Sequence, residues 1–265
     1  MRSIRELKRL AKRAMAGNAG WLILAMVAYT ILGLAGSLMT DWFFPGSDIS
    51  DLILSQAFYF ILTLVFGIFY AGVRLLYLNV AREREYSMDN LIYFFRNNPD
   101  HVIICTFAVA FISLLVSIPI NIYTYNLEAG TTVESQMMWA VQTLLMMAAA
   151  SLLTELLTLP FEMIYFLLAD NPEMSGIEAL KGSVKMLKGN MGKLLLLKIS
   201  FIPLMILSIF TLYLALLWVI PYMEMTTVMF YRDLRGEFDV DLNYRISAQE
   251  PEAADGQGDD FNSEA

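Results

Sequence analysis

Apolar residues in this chain gather into long runs separated by short polar connections. Four runs cover Ala19–Thr40, Leu52–Asn79, His101–Tyr123 and Met138–Phe161, and a last one extends from Leu194 to Tyr231 with no polar connection inside it. An apolar run of about 18 or more residues is long enough to cross a bilayer as a helix. The last run, as one helix, would rise about 57 Å, roughly twice the ~30 Å hydrocarbon core. Its flanks, Lys193 and Arg232, are both cationic, and two crossings keep both on one side. A tight turn near Phe210–Tyr213 is therefore expected, dividing the run into Leu194–Phe210 and Thr211–Tyr231. The pattern predicts an all-α integral membrane protein with six transmembrane helices.

Charge orients these spans. The 18 Lys and Arg residues fall in four places: Arg2–Arg13, the second connection with its approaches (Arg74, Arg82, Arg84, Arg96), Lys181–Lys198, and Arg232 with Arg235 and Arg245. The intervening loops, Asp41–Asp51 and Tyr125–Met137, contain no Lys or Arg. The positive-inside rule then predicts cytoplasmic N- and C-termini. Composition agrees: 57% of the 265 residues are hydrophobic and 17% charged, against about 25% charged in soluble domains. The net charge of −8 resides in the stretch from Gly236 to Ala265, so the membrane domain is neutral. Residues 237–265 are expected to form an acidic, disordered cytoplasmic tail. The first apolar run exceeds the 7–15 residues of a signal-peptide core and is expected to stay as a span.

An internal repeat is superposed on the spans. Ser3 with Glu6 and Ser175 with Glu178 each have capping-box spacing, in which the Ser side chain accepts from a free amide and the Glu reaches back. Each is followed by the same turn, Gly17–Asn18 and Gly189–Asn190, at a constant offset. A weaker middle copy starts at Ser87 and reaches Asn97–Asn98. The domain 1–236 therefore divides into three hairpin repeats, about 1–80, 86–170 and 174–236, each preceded by a cytoplasmic interfacial amphipathic helix. Ile4, Leu7, Leu10, Ala11 and Ala14 form one face of the first such helix; Ile177, Leu180, Val184 and Leu187 form one face of the third. Basic amphipathic helices beside spans predict contact with anionic lipid headgroups. The bilayer is the partner these cations imply, not nucleic acid.

Charges inside spans are costly and so pair or line cavities. Arg74, Glu155, Glu162 and Glu224 form the candidate polar cluster: Arg74 is expected to pair with Glu162 or Glu224, and Glu155 to face the bundle interior. Lys198 is expected to snorkel to the interface. Pro160 and Pro221, in matching contexts, are expected to kink the fourth and sixth spans. Pro172 ends the fourth helix, with Asp170 and Asn171 satisfying backbone groups at the break. Gly33 with Ser37 and Gly67 with Ala71 predict close packing of the first two spans. No phosphate-binding Gly loop, His pair or nucleophile with a positioned base is recognisable. The expectation is a non-enzyme with no metal and no cofactor.

The stretch Ala169–Asp170–Asn171–Pro172–Glu173–Met174–Ser175, with Glu178–Ala179, Ser183, Met186–Asn190, Lys198–Ile202 and Trp218–Tyr222, resembles domain-of-unknown-function family 975. So does the opening Leu7–Lys8, Ala11–Lys12, Ala14, Gly17–Asn18 and Trp21. The resemblance runs over most of 1–236. It implies a six-span protein of a bacterial plasma membrane and carries no activity with it. Two functions are compatible with these features. One is a scaffold or partner-binding role in membrane or envelope homeostasis. The other is a transporter or permease for a small or lipid-like solute that uses the carboxylates of the inner half. A cavity lined by Glu155, Glu162 and Glu224 would favour the second, and a solid bundle the first.

Overall fold

The computed structural model describes residues 1–45, 48–126 and 130–240. The acidic tail beyond residue 240 and the tips of the two loops lacking Lys and Arg lie outside the described residues. Every regular element among the described residues is helical. Among the described residues, five helical stretches are long and apolar enough to cross a membrane: Ala19–Phe43, Ile49–Ala81, Pro99–Thr124, Val133–Asp170 and Met191–Phe210.

Helix α1 (Ile4–Met15) opens on the expected capping box: the Ser3 N–H donates to Glu6 Oε2 at 2.8 Å, and the Glu6 N–H donates to Ser3 Oγ at 3.3 Å. This bond and its companions hold the Glu6 carboxyl below the usual carboxylate range. Gly17 ends the helix at φ +86°, a left-handed geometry that glycine adopts without strain. The matching Gly189 has φ +85°. Helices α2 (Ala19–Phe43) and α3 (Ile49–Ala81) form the first long hairpin.

The second connection differs from expectation. The middle copy is only a 3-10 turn over Met88–Ile92, capped by Ser87 and Asn90, and the four-residue α4 (Tyr93–Arg96). It lies directly on α3: a Cβ at Gly72 would stand 2.3 Å from the Leu91 carbonyl oxygen. Backbone so close to backbone leaves no room for a full helix to dock there.

Helix α5 (Pro99–Tyr125) contains Pro119 without a break, and α6 (Val133–Thr158) returns beside it. The fourth span breaks where Pro160 removes an N–H, through a 3-10 turn (Leu159–Phe161) into α7 (Ile164–Asp170). Ser183 bridges the break, donating to the Pro160 carbonyl at 2.7 Å and accepting from the Met163 N–H at 3.2 Å. Ser183 lies on α8 (Gly176–Leu187), which starts at the Ser175–Glu178 capping box after Asn171 and Pro172 end α7. Pro221, by contrast, sits inside an unbroken helix, α11 (Leu216–Leu234). The two matched prolines thus have different outcomes: at Pro160 the Ser183 hydroxyl takes over freed groups, and at Pro221 the helix continues.

The fifth span is also divided, into α9 (Met191–Ile199) and α10 (Ile202–Phe210), where Pro203 interrupts the amide ladder. The Ser200 carbonyl at the break accepts from Lys8 Nζ at 2.9 Å. After α10 the chain reverses in the expected place: Leu212 and Tyr213 have φ of 50° and 66°, and the Tyr213 N–H donates to the Ser208 carbonyl at 2.8 Å. Helix α11 carries Glu224, Arg232 and Asp233, and it is not among the five stretches counted by length and composition.

Burial is concentrated at one end of the bundle. Leu7, Ala11 and Met15 of α1, Leu22 and Ala25 of α2, residues 73–81 of α3, most of α7 and residues 225–231 of α11 are buried. The opposite half presents Leu38, Trp42, Ile53, Leu144, Leu152 and Phe210 outward. Helix α1 packs its apolar face against α11, so protein rather than lipid covers that face. In α8 the buried stripe is Gly176, Ala179, Ser183 and Leu187, whereas Ile177 and Val184 are exposed. Small residues in that stripe let α8 approach α5 and α7 closely, which overrides the bulkier stripe read from periodicity. Close packing of the first two spans depends on Gly36, whose Cβ would meet Phe66, and not on Gly33, which has open space beside it; Gly67 instead faces Thr106 of α5.

Gly72→Ala is expected to lower the unfolding free energy by about 1–3 kcal/mol, since the methyl group would meet backbone that cannot rotate away. Thermal unfolding of the purified protein in neutral detergent measures this, with Gly20→Ala, whose Cβ meets nothing within 4 Å, expected to leave the midpoint within a degree or so of wild type.

Candidate functional site

Three helical segments carry charge at matched heights. Arg74 lies on α3 and Arg82 caps its end, Glu162 and Asp170 lie at the start and end of the α7 region, and Glu224 and Arg232 on α11. Each pair is eight residues apart, about 12 Å along a helix. Arg74 pairs with Glu162 and Arg82 with Asp170, so the two segments run in the same direction. Glu224 beside Arg74, and Arg232 donating to the Ala81 carbonyl at 2.5 Å, set α11 parallel to both. The result is two stacked ionic layers.

The inner layer is centred on Arg74. Its side chain is 5% exposed, which requires full neutralisation in an apolar environment. Nη2 donates to Glu162 Oε1 at 2.5 Å and to the Tyr70 hydroxyl at 2.5 Å, and Nε donates to the same hydroxyl at 2.9 Å. Tyr70 in turn donates to Glu224 Oε1 at 3.2 Å. Glu224 Oε2 lies 3.0 Å from Arg74 Nε but accepts no hydrogen bond, because the Nε proton is directed to Tyr70. The guanidinium also sits 4.8 Å from the centre of the Phe166 ring. Lys198 extends the layer, donating to Glu162 Oε2 at 2.7 Å and Glu155 Oε1 at 2.5 Å. Lys198 is therefore ion-paired between two carboxylates and does not snorkel.

The outer layer closes the end that holds the N-terminus. Arg82 grips Asp170 and Glu237, Arg232 Nε donates to Glu237 Oε2 at 2.7 Å, and the Tyr231 hydroxyl donates to Asp170 Oδ2 at 2.5 Å. Asp170 thus serves a tertiary ion pair rather than only its local turn. Beside it, the Arg2 N–H donates to Asp233 at 2.8 Å and Lys193 Nζ lies 3.9 Å away from the same carboxylate, which brings the N-terminus and the end of α11 to one end of the molecule. Burial pushes the Glu237 carboxyl up, but the hydrogen bonds from Arg82 and Arg232 outweigh it and hold the group below the usual range. Leu76, Tyr77, Leu78, Phe166 and Val228, all buried, fill the space around and between the layers.

On the other side of the inner layer the helices separate around a cleft of about 570 Å³. Its floor holds Arg74, Glu155, Glu162, Lys198 and Glu224, and its walls include Tyr29, Gly33, Tyr59, Phe66, Leu152 and Met205. All four members of the predicted polar cluster come together here. Arg74 engages both Glu162 and Glu224, and Glu155 lines the cleft with its side chain 46% exposed. Sequence reading missed Tyr70, the hub of the inner layer; its i, i+4 spacing to Arg74 was the available signal. It also missed the outer layer, which the shared eight-residue spacing of Arg74/Arg82 and Glu162/Asp170 could have disclosed. Among the described residues, no group of three or more His, Cys, Asp or Glu is placed to hold a metal ion. Cys105 is buried and donates to the Gly176 carbonyl at 3.3 Å.

Residues 1–237 match the model of the family described as Protein of unknown function (DUF975). No curated protein and no solved structure matches the chain.

Removing Arg74 would leave Glu162 and Glu224 as uncompensated buried carboxylates, so Arg74→Ala is expected to cost about 3–5 kcal/mol of stability. Denaturant unfolding in detergent checks this, and a charge reversal at Arg74 combined with reversal at Glu162 should recover part of the loss. For Glu237 the folded carboxyl titrates below its unfolded value, so its stabilisation is complete above the ordinary range near pH 4.3 and is lost as pH falls through the lower, folded value. Glu237→Gln should flatten the acid limb of the unfolding profile relative to wild type and leave the neutral-pH slope unchanged.

Proposed function

The chain belongs to the DUF975 family, whose function is undescribed, and from its cleft and charged floor we propose that it admits an amphiphilic, lipid-like solute between its spans and passes it across a bacterial plasma membrane. The observation that carries this reading is the cleft of about 570 Å³ lined by Glu155, Glu162 and Glu224. Charged groups at membrane depth are retained where they pair or line a cavity, and these do both. A solid bundle would have favoured a scaffold instead.

The proposed protein is non-enzymatic and has six spans, with α11 as the sixth and both termini cytoplasmic. The matched spacings of the two ionic layers support three hairpin repeats whose return helices run parallel. Parallel repeats about an axis along the membrane normal are a known transporter plan, with the solute bound at the repeat interface. In this scheme the cleft faces away from the cytoplasm, and the layer of Arg82, Asp170, Tyr231 and Glu237 closes the cytoplasmic side. Opening that layer while the outer helices close completes a passage. The basic residues of α1 and α8 contact the anionic inner leaflet and hold the cytoplasmic end at the headgroups.

Filling the cleft tests the proposal. Gly33 lines it and has nothing within 4 Å of its Cβ position, so Gly33→Trp can occupy the space without disturbing the packed end. Proteoliposomes holding the wild type should move a fluorescent phospholipid analogue between leaflets faster than empty vesicles, and Gly33→Trp should return the rate to that of empty vesicles while melting like wild type. Equal rates for wild-type and empty vesicles would refute passage and return the scaffold role to first place.

A further inference from the structure

The cleft's charge specifies what it accepts. Three carboxylates (Glu155, Glu162, Glu224) and two cations (Arg74, Lys198) meet at its floor, an excess of one negative charge. The cations are already committed. Lys198 is held by Glu155 and Glu162, and Arg74 by Glu162, Tyr70 and Glu224. Acceptor capacity is also left over. Glu224, only 8% exposed, has an Oε2 that accepts no hydrogen bond. Glu155 is engaged through Oε1 alone, and its half-exposed side chain faces the cleft. An anionic group entering here would meet the net negative charge of the floor.

The walls agree. Tyr29, Tyr59, Phe66 and Phe161 line the cleft, with the Tyr29 ring 5.0 Å from that of Tyr70, and aromatic faces attract ammonium groups at short range. Leu152, Ile199 and Ile202 also line it and are exposed on the outside of the bundle. A polar head at the charged floor therefore leaves an apolar tail directed along groups that face lipid.

We infer that the cleft selects amphiphiles with a cationic head, an ammonium attached to an apolar tail, which pairs with the exposed carboxylate of Glu155 and balances the excess charge to which Glu224 contributes. This rests on the reading of the cleft as a solute site and adds the sign of the charge it recognises.

Three diphenylhexatriene probes that differ in head group (a primary ammonium, none, propionate) test it by native mass spectrometry of the full chain released from a neutral detergent. The cationic probe should form a one-to-one adduct at least tenfold tighter than the other two. Glu155→Gln, at a half-exposed position, should fold normally and reduce that preference about tenfold, and Glu224→Gln should do the same where it folds. Gly33→Trp should abolish the adduct. Equal binding of the uncharged probe would overturn the inference, as expected if a proton rather than a ligand balances the carboxylates, while leaving the cleft reading intact. Preference for the anionic probe, or a cationic preference unchanged in Glu155→Gln, would also overturn it. No adduct with any probe in the wild type would remove the solute site itself.

Discussion

A guanidinium cannot sit in an apolar helical bundle unless opposite charge reaches it from elsewhere in the chain, and Arg74 meets that condition with Glu162 and Glu224. This requirement organises much of the molecule. It fixes the rotation of α3 against the α7 region and α11, since a turn of any one helix would remove its charge from the layer. It also gives Tyr70 its position, because the guanidinium has more protons than two carboxylates can accept in the available geometry. The outer layer at Arg82 repeats the arrangement about two turns further along, with Asp170 and Glu237 as acceptors. Two such layers, with Tyr77, Leu78 and Phe166 packed around them, tie the helices together at the terminal end.

The other half of the bundle lacks such ties. Its helices carry few groups that must meet, so they separate, and their apolar side chains face outward. In water this exposure would be untenable; in hydrocarbon it costs little, because lipid tails are as apolar as the side chains they touch. The contrast between a cross-linked end and a loosely packed end produces the cleft, and places the charged layer at its floor.

The breaks in the helices show how local chemistry and tertiary contact divide the work. Pro160, Pro172 and Pro203 each remove a backbone donor, which the chain alone makes plain. What satisfies the freed groups comes from far away: Ser183 bridges the break at Pro160, and Lys8 of α1 reaches the Ser200 carbonyl beside Pro203. At Pro221 the helix continues. A proline is therefore a local statement about one missing hydrogen bond, and its structural consequence is decided by what packs against it.

Much of the architecture was legible in the order of residues. Runs of apolar residues marked the long helices, the capping boxes at Ser3 and Ser175 marked where two short helices start, and the cationic flanks of the last run required the reversal at Leu212–Tyr213. The rarity of charge within apolar runs singled out Arg74, Glu155, Glu162 and Glu224. These features are one-dimensional: length, spacing and the cost of charge in hydrocarbon act wherever the segment ends up. The chain could not disclose what covers each face. Periodicity made α1 amphipathic without saying that α11, not lipid, buries Leu7 and Ala11, and on α8 it marked Leu187 but not Gly176, Ala179 and Ser183, the small residues that pack against α5 and α7. The pairing of Asp170 with Arg82, the role of Tyr70 and the existence of the cleft are properties of helices brought together from positions more than 80 residues apart, and only their packing determined them.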